Sequence, residues 1–108
     1  MKLIIAYIRP ELLQEVKTKL YAAELFSLSV TNVLGAGRQK GYTEVYRGVQ
    51  TEVNLLKKVR VELGVPEDKV EVAIEAISQG AKTGQTGDGV IFVLDVVSSQ
   101  RIRTGESM

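Results

Sequence analysis

The chain has 108 residues and fourteen basic against thirteen acidic side chains, a formal charge of +1. That is enough chain for one hydrophobic core, and no global field draws it toward nucleic acid or an anionic membrane, so any anion site must be local. It has no cysteine and no histidine, which removes disulfides, thiolate nucleophiles, sulfur metal sites, the usual general base and the commonest metal ligand.

The first element is "KLIIAYI", residues 2 to 8, β-rich and apolar. Arg9 and Pro10 end this run, which is too short to span a membrane and lacks a small-residue cleavage site, so a soluble, cytoplasmic protein is expected. Pro10 opens a helix in which Leu12, Leu13, Val16 and Leu20 recur at helical spacing. "LSVTNVLG", residues 28 to 35, alternates as a second strand with Gly35 at its end, and "KVRVELGV" from Lys58 alternates as a third. Pro66, Glu67 and Asp68 start a second helix carrying Val70, Ala73, Ile74 and Ile77, with Gly80 as its stop; "VIFVLDVV", residues 90 to 97, closes as a strand. Two strand–helix–strand halves predict an α+β, ferredoxin-like βαββαβ domain over residues 1–108: a four-stranded antiparallel sheet with both helices on one face. The first and last strands are apolar on both faces, and two helices can cover only one, so a further subunit is expected on the other.

Between strands two and three lie residues 36–57, far longer than the usual connection of about 4 to 6 residues, and a partner-binding loop is the expected use. "GAGRQKG", residues 35 to 41, offers bare backbone amides to an anion with Arg38 and Lys40 beside them. "KTGQTGDG", residues 82 to 89, offers a second such turn, and "RIR" at 101 to 103 a third basic element. Neither glycine run fits a Walker A loop or a dinucleotide fingerprint. In the expected sheet, however, the end of strand two and the start of strand four share one sheet end, so the turns converge there.

"GRQKGYTEVYRG", "TGQTGDGVIFVLDV" and "RIRTGE", in this order and at these separations, resemble the long loop, phosphate loop and C-terminal basic segment of the PII nitrogen-regulatory signal proteins. The resemblance runs over essentially the whole chain. It implies a homotrimer whose intersubunit clefts bind ATP or ADP, with AMP a further candidate. It also implies that 2-oxoglutarate joins Mg-ATP at the base of the long loop. Through that loop such a protein regulates a membrane transporter, of ammonium or another solute, or a metabolic enzyme; it inserts in no membrane, binds no nucleic acid and is not itself an enzyme. Carried over by position, Gly35, Gly37 and Arg38 contact nucleotide, Gly87, Asp88 and Gly89 offer amides to phosphates, and Arg101 and Arg103 of the adjacent subunit pair with phosphate oxygens. Glu62 accepts from the adenine amino group, while Tyr7 and Gly64 line the base pocket. Gln39 coordinates Mg beside 2-oxoglutarate, Lys58 pairs with a carboxylate of that ligand, and Lys40 and Gly41 shape its pocket.

Several positions depart from the family pattern. Thr51 stands where many members carry a uridylylated tyrosine and Val49 where others carry a phosphorylated serine, so neither modification is expected. Val90 stands where a lysine normally follows Gly-Asp-Gly, and Ala36 and Thr86 differ from the residues usual near 2-oxoglutarate. These departures point to a divergent paralogue: the first reading keeps a transporter or enzyme of nitrogen metabolism as its target, and the alternative is a protein answering to ADP or AMP and another metabolite that regulates a non-ammonium transporter or a carbon-metabolism target. An RNA-recognition module, the other common use of such a sheet, requires stacking aromatics that "SVTNVL" and "VRVELGV" lack. A small enzyme would need Lys40 or Lys58 as nucleophile and Glu44 or Glu62 as base, roles that lone residues of these types seldom fill.

Overall fold

The structure, a computed structural model, describes residues 1–37 and 54–108. Its elements run β1 (Lys2–Ile8), a 3-10 turn (Pro10–Leu12), α1 (Leu13–Ala22), β2 (Leu28–Gly37), β3 (Asn54–Val65), a second 3-10 turn (Glu67–Lys69), α2 (Val70–Ala81) and β4 (Val90–Asp95). The sheet order is β2-β3-β1-β4, every neighbouring pair antiparallel. This is the expected ferredoxin-like α+β architecture. The strands reach further toward the long loop than alternation alone implies: β2 continues through Gly37 and β3 begins at Asn54. The backbone pairs Ala36 with Leu55 and Gly37 with Asn54, so those residues of the expected 36–57 loop belong to the sheet. At the other extreme β4 stops at Asp95, two residues before the apolar run does; beyond it the Val96 N–H still donates to Met1 O at 3.3 Å.

The covered face of the sheet is built by alternate residues. Ile4, Ala6 and Ile8 of β1 and Val59, Val61, Leu63 and Val65 of β3 are buried against Val16 and Leu20 of α1 and Ala73, Ala76, Ile77 and Ala81 of α2. Each large apolar side chain so buried contributes roughly 1.5–3 kcal/mol. Gly80, expected to stop α2, instead lies buried inside it. A Cβ there would sit 2.7 Å from Val16 Cα, so the glycine lets the two helices cross closely rather than ending one. The end of α1 had no glycine to mark it. Glu24 takes the left-handed position at φ 62, its N–H donating to Tyr21 O at 2.9 Å, and Leu25 N–H donates to Leu20 O at 2.9 Å, the paired bonds of a Schellman cap.

The opposite face carries Leu3, Ile5 and Tyr7 of β1 beside Leu94, Phe92 and Val90 of β4, since these are register partners. Among the described residues no helix lies over them: Phe92 is 51% exposed and Val90 45%. On the β3 side the same face turns polar through Lys58, Arg60 and Glu62. Among the described residues no helix is long and apolar enough to cross a membrane.

Candidate functional site

The register places the C-terminal ends of β1 and β2 and the starts of β3 and β4 at one end of the sheet: Ile8 pairs with Val59, Tyr7 with Val90 and Val33 with Lys58. The 82–90 loop, which leads from α2 into β4, therefore sits beside the base of the long loop. Sequence and sterics fix its shape. Gly84, Gly87 and Gly89 have φ of 86, 102 and 110, a region that residues with a Cβ avoid. At Gly89 a Cβ would also lie 1.8 Å from Tyr7 O, so only glycine lets the loop rejoin the sheet edge.

Asp88 locks this loop from within. One carboxylate oxygen accepts from the Thr83 and Gly84 N–H groups, each at 2.8 Å, and the other accepts from the Thr83 hydroxyl and, at 3.3 Å, from Arg9 Nε. The Thr83 hydroxyl and N–H, then the Gly84 N–H and the Arg9 guanidinium, hold the carboxyl far below the usual aspartate range against a smaller opposing effect of burial. Asp88 was expected to offer an amide; its side chain proves to be the loop's internal clamp. Two cations hold the loop from behind: Arg9 Nη2 donates to Thr86 O at 2.8 Å and Lys58 Nζ to Gly87 O at 2.8 Å. Among the described residues no group accepts from the N–H groups of Thr86, Gly87 and Asp88. A rigid turn with outward amides and two cations behind it suits an anion.

The remaining expected residues divide in three. Gly35 and Gly37 lie at the end of β2, where a Cβ would stand 3.3 Å from Lys58 Cγ and 2.9 Å from Leu56 Cδ1 respectively, so both allow close side-chain passage across the hairpin. Glu62 faces the same way as Lys58, further along β3, and its Oε1 lies 2.9 Å from Arg60 Nε. That pair is Coulombic, for Arg60 Nε makes no hydrogen bond among the described residues, and the Arg60 guanidinium also lies 5.8 Å from the centre of the Tyr7 ring. Gly64 occupies the same face beside Leu3. Arg101 and Arg103, by contrast, are exposed and are not brought to the loop: β4 delivers the chain to the opposite sheet end, where Asp95 pairs with Lys2. Arg38, Gln39, Lys40 and Gly41, with Glu44, Val49 and Thr51, lie outside the described residues.

Concavities follow the same division. One of about 270 Å³ lies under the loop between Ser78, Lys82 and Val90, and one of about 380 Å³ lies between Pro10, Leu34 and Lys57 at the base of the hairpin. The first takes in Asp88 and Gly89, and neither takes in Glu62, Arg101 or Arg103. Among the described residues no group of three or more acidic side chains is placed to hold a metal ion. Arg9, Thr83 and Arg60 were absent from the expected site. Arg9 had a signal, as the single cation ending a strand that the topology sends to the glycine loop; Thr83 and Arg60 had none beyond their spacing.

The family model described as nitrogen regulatory protein P-II matches residues 1–106. Curated relatives of similar length carry that name. The Rhizobium etli protein is 49% identical over 107 residues, covering 99% of this chain and 96% of its own. The Rhodospirillum rubrum protein is 51% identical over 106 residues, 98% and 95% of the two chains. The Escherichia coli protein named P-II 1 is 47% identical over the same shares.

Proposed function

The chain belongs to the nitrogen regulatory protein P-II family, and from that premise we propose that it is a cytoplasmic, homotrimeric sensor of adenine nucleotides rather than an enzyme. ATP and ADP compete for clefts between protomers, each formed by the 82–90 loop and the end of β2 in one subunit and by Arg101 and Arg103 of the next. Glu62 takes the adenine amino group, exchanging its Arg60 partner for the base. Gln39, Lys40, Gly41 and Lys58 receive Mg and 2-oxoglutarate when ATP is bound, and the long loop reports the ligand state to a transporter or enzyme of nitrogen metabolism. A bound nucleotide supplies the phosphate charge that the loop amides meet.

The observation that carries this reading is the Lys58–Gly87 hydrogen bond of 2.8 Å. It ties the anion-facing loop to the strand that follows the long loop, so occupancy of one is felt at the root of the other. Gly89 supports the fit, since the cradle exists only without a Cβ. The uncovered Phe92 and Leu94 support assembly. Calorimetric titration with ATP, ADP and AMP, each with and without Mg and 2-oxoglutarate, tests it. Micromolar binding of ADP or ATP is expected, and absence of heat with every nucleotide contradicts it.

A second reading is favoured by Val90. This half-exposed residue sits at the mouth of the loop beside Tyr7 and brings no charge to a terminal phosphate. On this reading the protein favours ADP or AMP relative to ATP, its 2-oxoglutarate response is weak, and its target is a different transporter or a carbon-metabolism enzyme. The same titrations decide between the two.

A further inference from the structure

We propose that Arg9 is a positioning residue for phosphate binding: with Lys58 it draws two successive carbonyls of the 82–90 loop backward and thereby aims the Gly87 and Asp88 N–H groups at the anion. The inference rests on the reading of this loop as a phosphate site and adds a residue and a mechanism to it.

Arg9 leaves β1 in an extended conformation, φ −67 and ψ 136, immediately before Pro10. From there its side chain, 24% exposed, passes under the loop. Nη2 donates to Thr86 O at 2.8 Å and lies 3.2 Å from the point where a Gly87 Cβ would be. The next carbonyl, Gly87 O, is held at 2.8 Å by Lys58 Nζ from the neighbouring strand. A trans peptide is planar, with its N–H opposite its C=O, and no peptide among the described residues is cis. Fixing Thr86 O therefore fixes the direction of the Gly87 N–H, and fixing Gly87 O fixes that of the Asp88 N–H. An ordinary strand would turn these successive groups to opposite sides; the φ of 102 at Gly87 permits the departure. Arg9 also holds Asp88 Oδ1 at 3.3 Å, so one guanidinium ties the carbonyl that sets the first N–H to the clamp that closes the loop. Its fork geometry allows both contacts at once, which a lysine cannot reproduce.

The full-length native protein and its Arg9→Gln and Arg9→Lys variants are titrated with ADP and with adenosine, and the Gly87 and Asp88 amide resonances are followed with inorganic pyrophosphate. Arg9→Gln is expected to weaken ADP about tenfold while leaving adenosine unchanged, as the loss of a charge-assisted hydrogen bond implies. Arg9→Lys is expected to recover part of the ADP affinity. A brace of the fold alone would weaken both ligands together, and that result, or unaltered ADP affinity in Arg9→Gln, overturns the proposal. Should Arg9→Gln lose the native circular dichroism, the ratio of ADP to adenosine affinity in Arg9→Lys decides by the same criterion. Pyrophosphate shifts that depend on Arg9 in a protein that binds no ADP would uphold the proposal and remove the adenine reading. ADP binding indifferent to Arg9 would do the reverse.

Discussion

The 82–90 loop and the segment that follows β4 are both read from sequence as parts of one phosphate site, yet the fold treats them differently. The loop is clamped by Asp88, held from behind by Arg9 and Lys58, and fused to the sheet edge at Gly89. The C-terminal segment is bonded chiefly to itself: Arg101 N–H donates to Glu106 O at 2.9 Å, Gly105 N–H to Arg101 O at 2.8 Å and Met108 N–H to Ser99 O at 3.1 Å. Val97 and Ile102 are fully exposed there. Under the proposed function, one protomer thus completes the amide half of the phosphate site and presents its guanidinium half elsewhere. Under the proposed trimer this asymmetry makes ligand binding depend on assembly, because each half meets its complement only across a subunit boundary.

The largest effect expected is at Gly89. Gly89→Ala adds a Cβ into Tyr7 O at a φ of 110, costing about 2–4 kcal/mol through strain and displacement. ADP binding should be abolished, whereas Gly105→Ala, at φ 74 in the open C-terminal turn with only Gln100 Nε2 near, should bind ADP as the native chain does. Calorimetry on the two variants checks the contrast, and equal losses would break it. Next in size, Val90→Lys places a cation beside the outward amides and should tighten ATP more than ADP, by roughly ten- to a hundredfold for a charge-assisted bond to the terminal phosphate. An unchanged ratio of ATP to ADP affinity would mean that another cation already reaches that phosphate.

A smaller effect should follow pH. The Asp88 carboxyl is held well below its ordinary value of 3.8, so the folded state binds that proton less readily than the unfolded state. The clamp's contribution is therefore complete above the unfolded value and is lost as pH falls, from about pH 5 downward through the lower folded value. The Thr83 and Gly84 amide resonances should hold steady through the ordinary aspartate range, move only at pH well below it, and stay flat in Asp88→Asn, while those of Arg101 and Gly105 remain unaffected. Titration of the Thr83 and Gly84 signals near the ordinary aspartate value would show that the clamp does not form in solution. Smallest of all, replacing both Arg101 and Arg103 by Ala should alter the stability of the fold by no more than about 0.5 kcal/mol, as for other exposed residues, since neither holds the protomer together. A drop in melting temperature well beyond that would place them in the core's support.

Legibility in the sequence tracked how local the cause was. The β-rich apolar run "KLIIAYI" and the alternation in "KVRVELGV" sufficed for these strands, and the shared sheet end followed from topology. Glycines deceived where their reason was tertiary. Gly80 read as a stop because nothing in the chain shows Val16 pressing on it, and Gly37 read as loop because the hairpin ladder that holds it depends on Asn54. The anion loop was legible as glycine-rich, but its clamp was not. Asp88 looked like one more turn residue, and Arg9 lies 77 positions from the carbonyl it holds. Partners that distant become visible only through the sheet register.

Subunit mixing shows whether the two halves of the proposed site meet across a protomer boundary. Gly89→Ala protein and Arg101→Ala/Arg103→Ala protein are unfolded together, refolded as mixed assemblies verified by native mass spectrometry, and titrated with ADP. Each variant alone should fail to bind. Random assortment in a cyclic trimer should restore native affinity at about one quarter of the sites, those pairing an intact loop with intact arginines from its neighbour. Verified mixed trimers that recover no binding would contradict a shared site, as would full binding by the arginine variant alone.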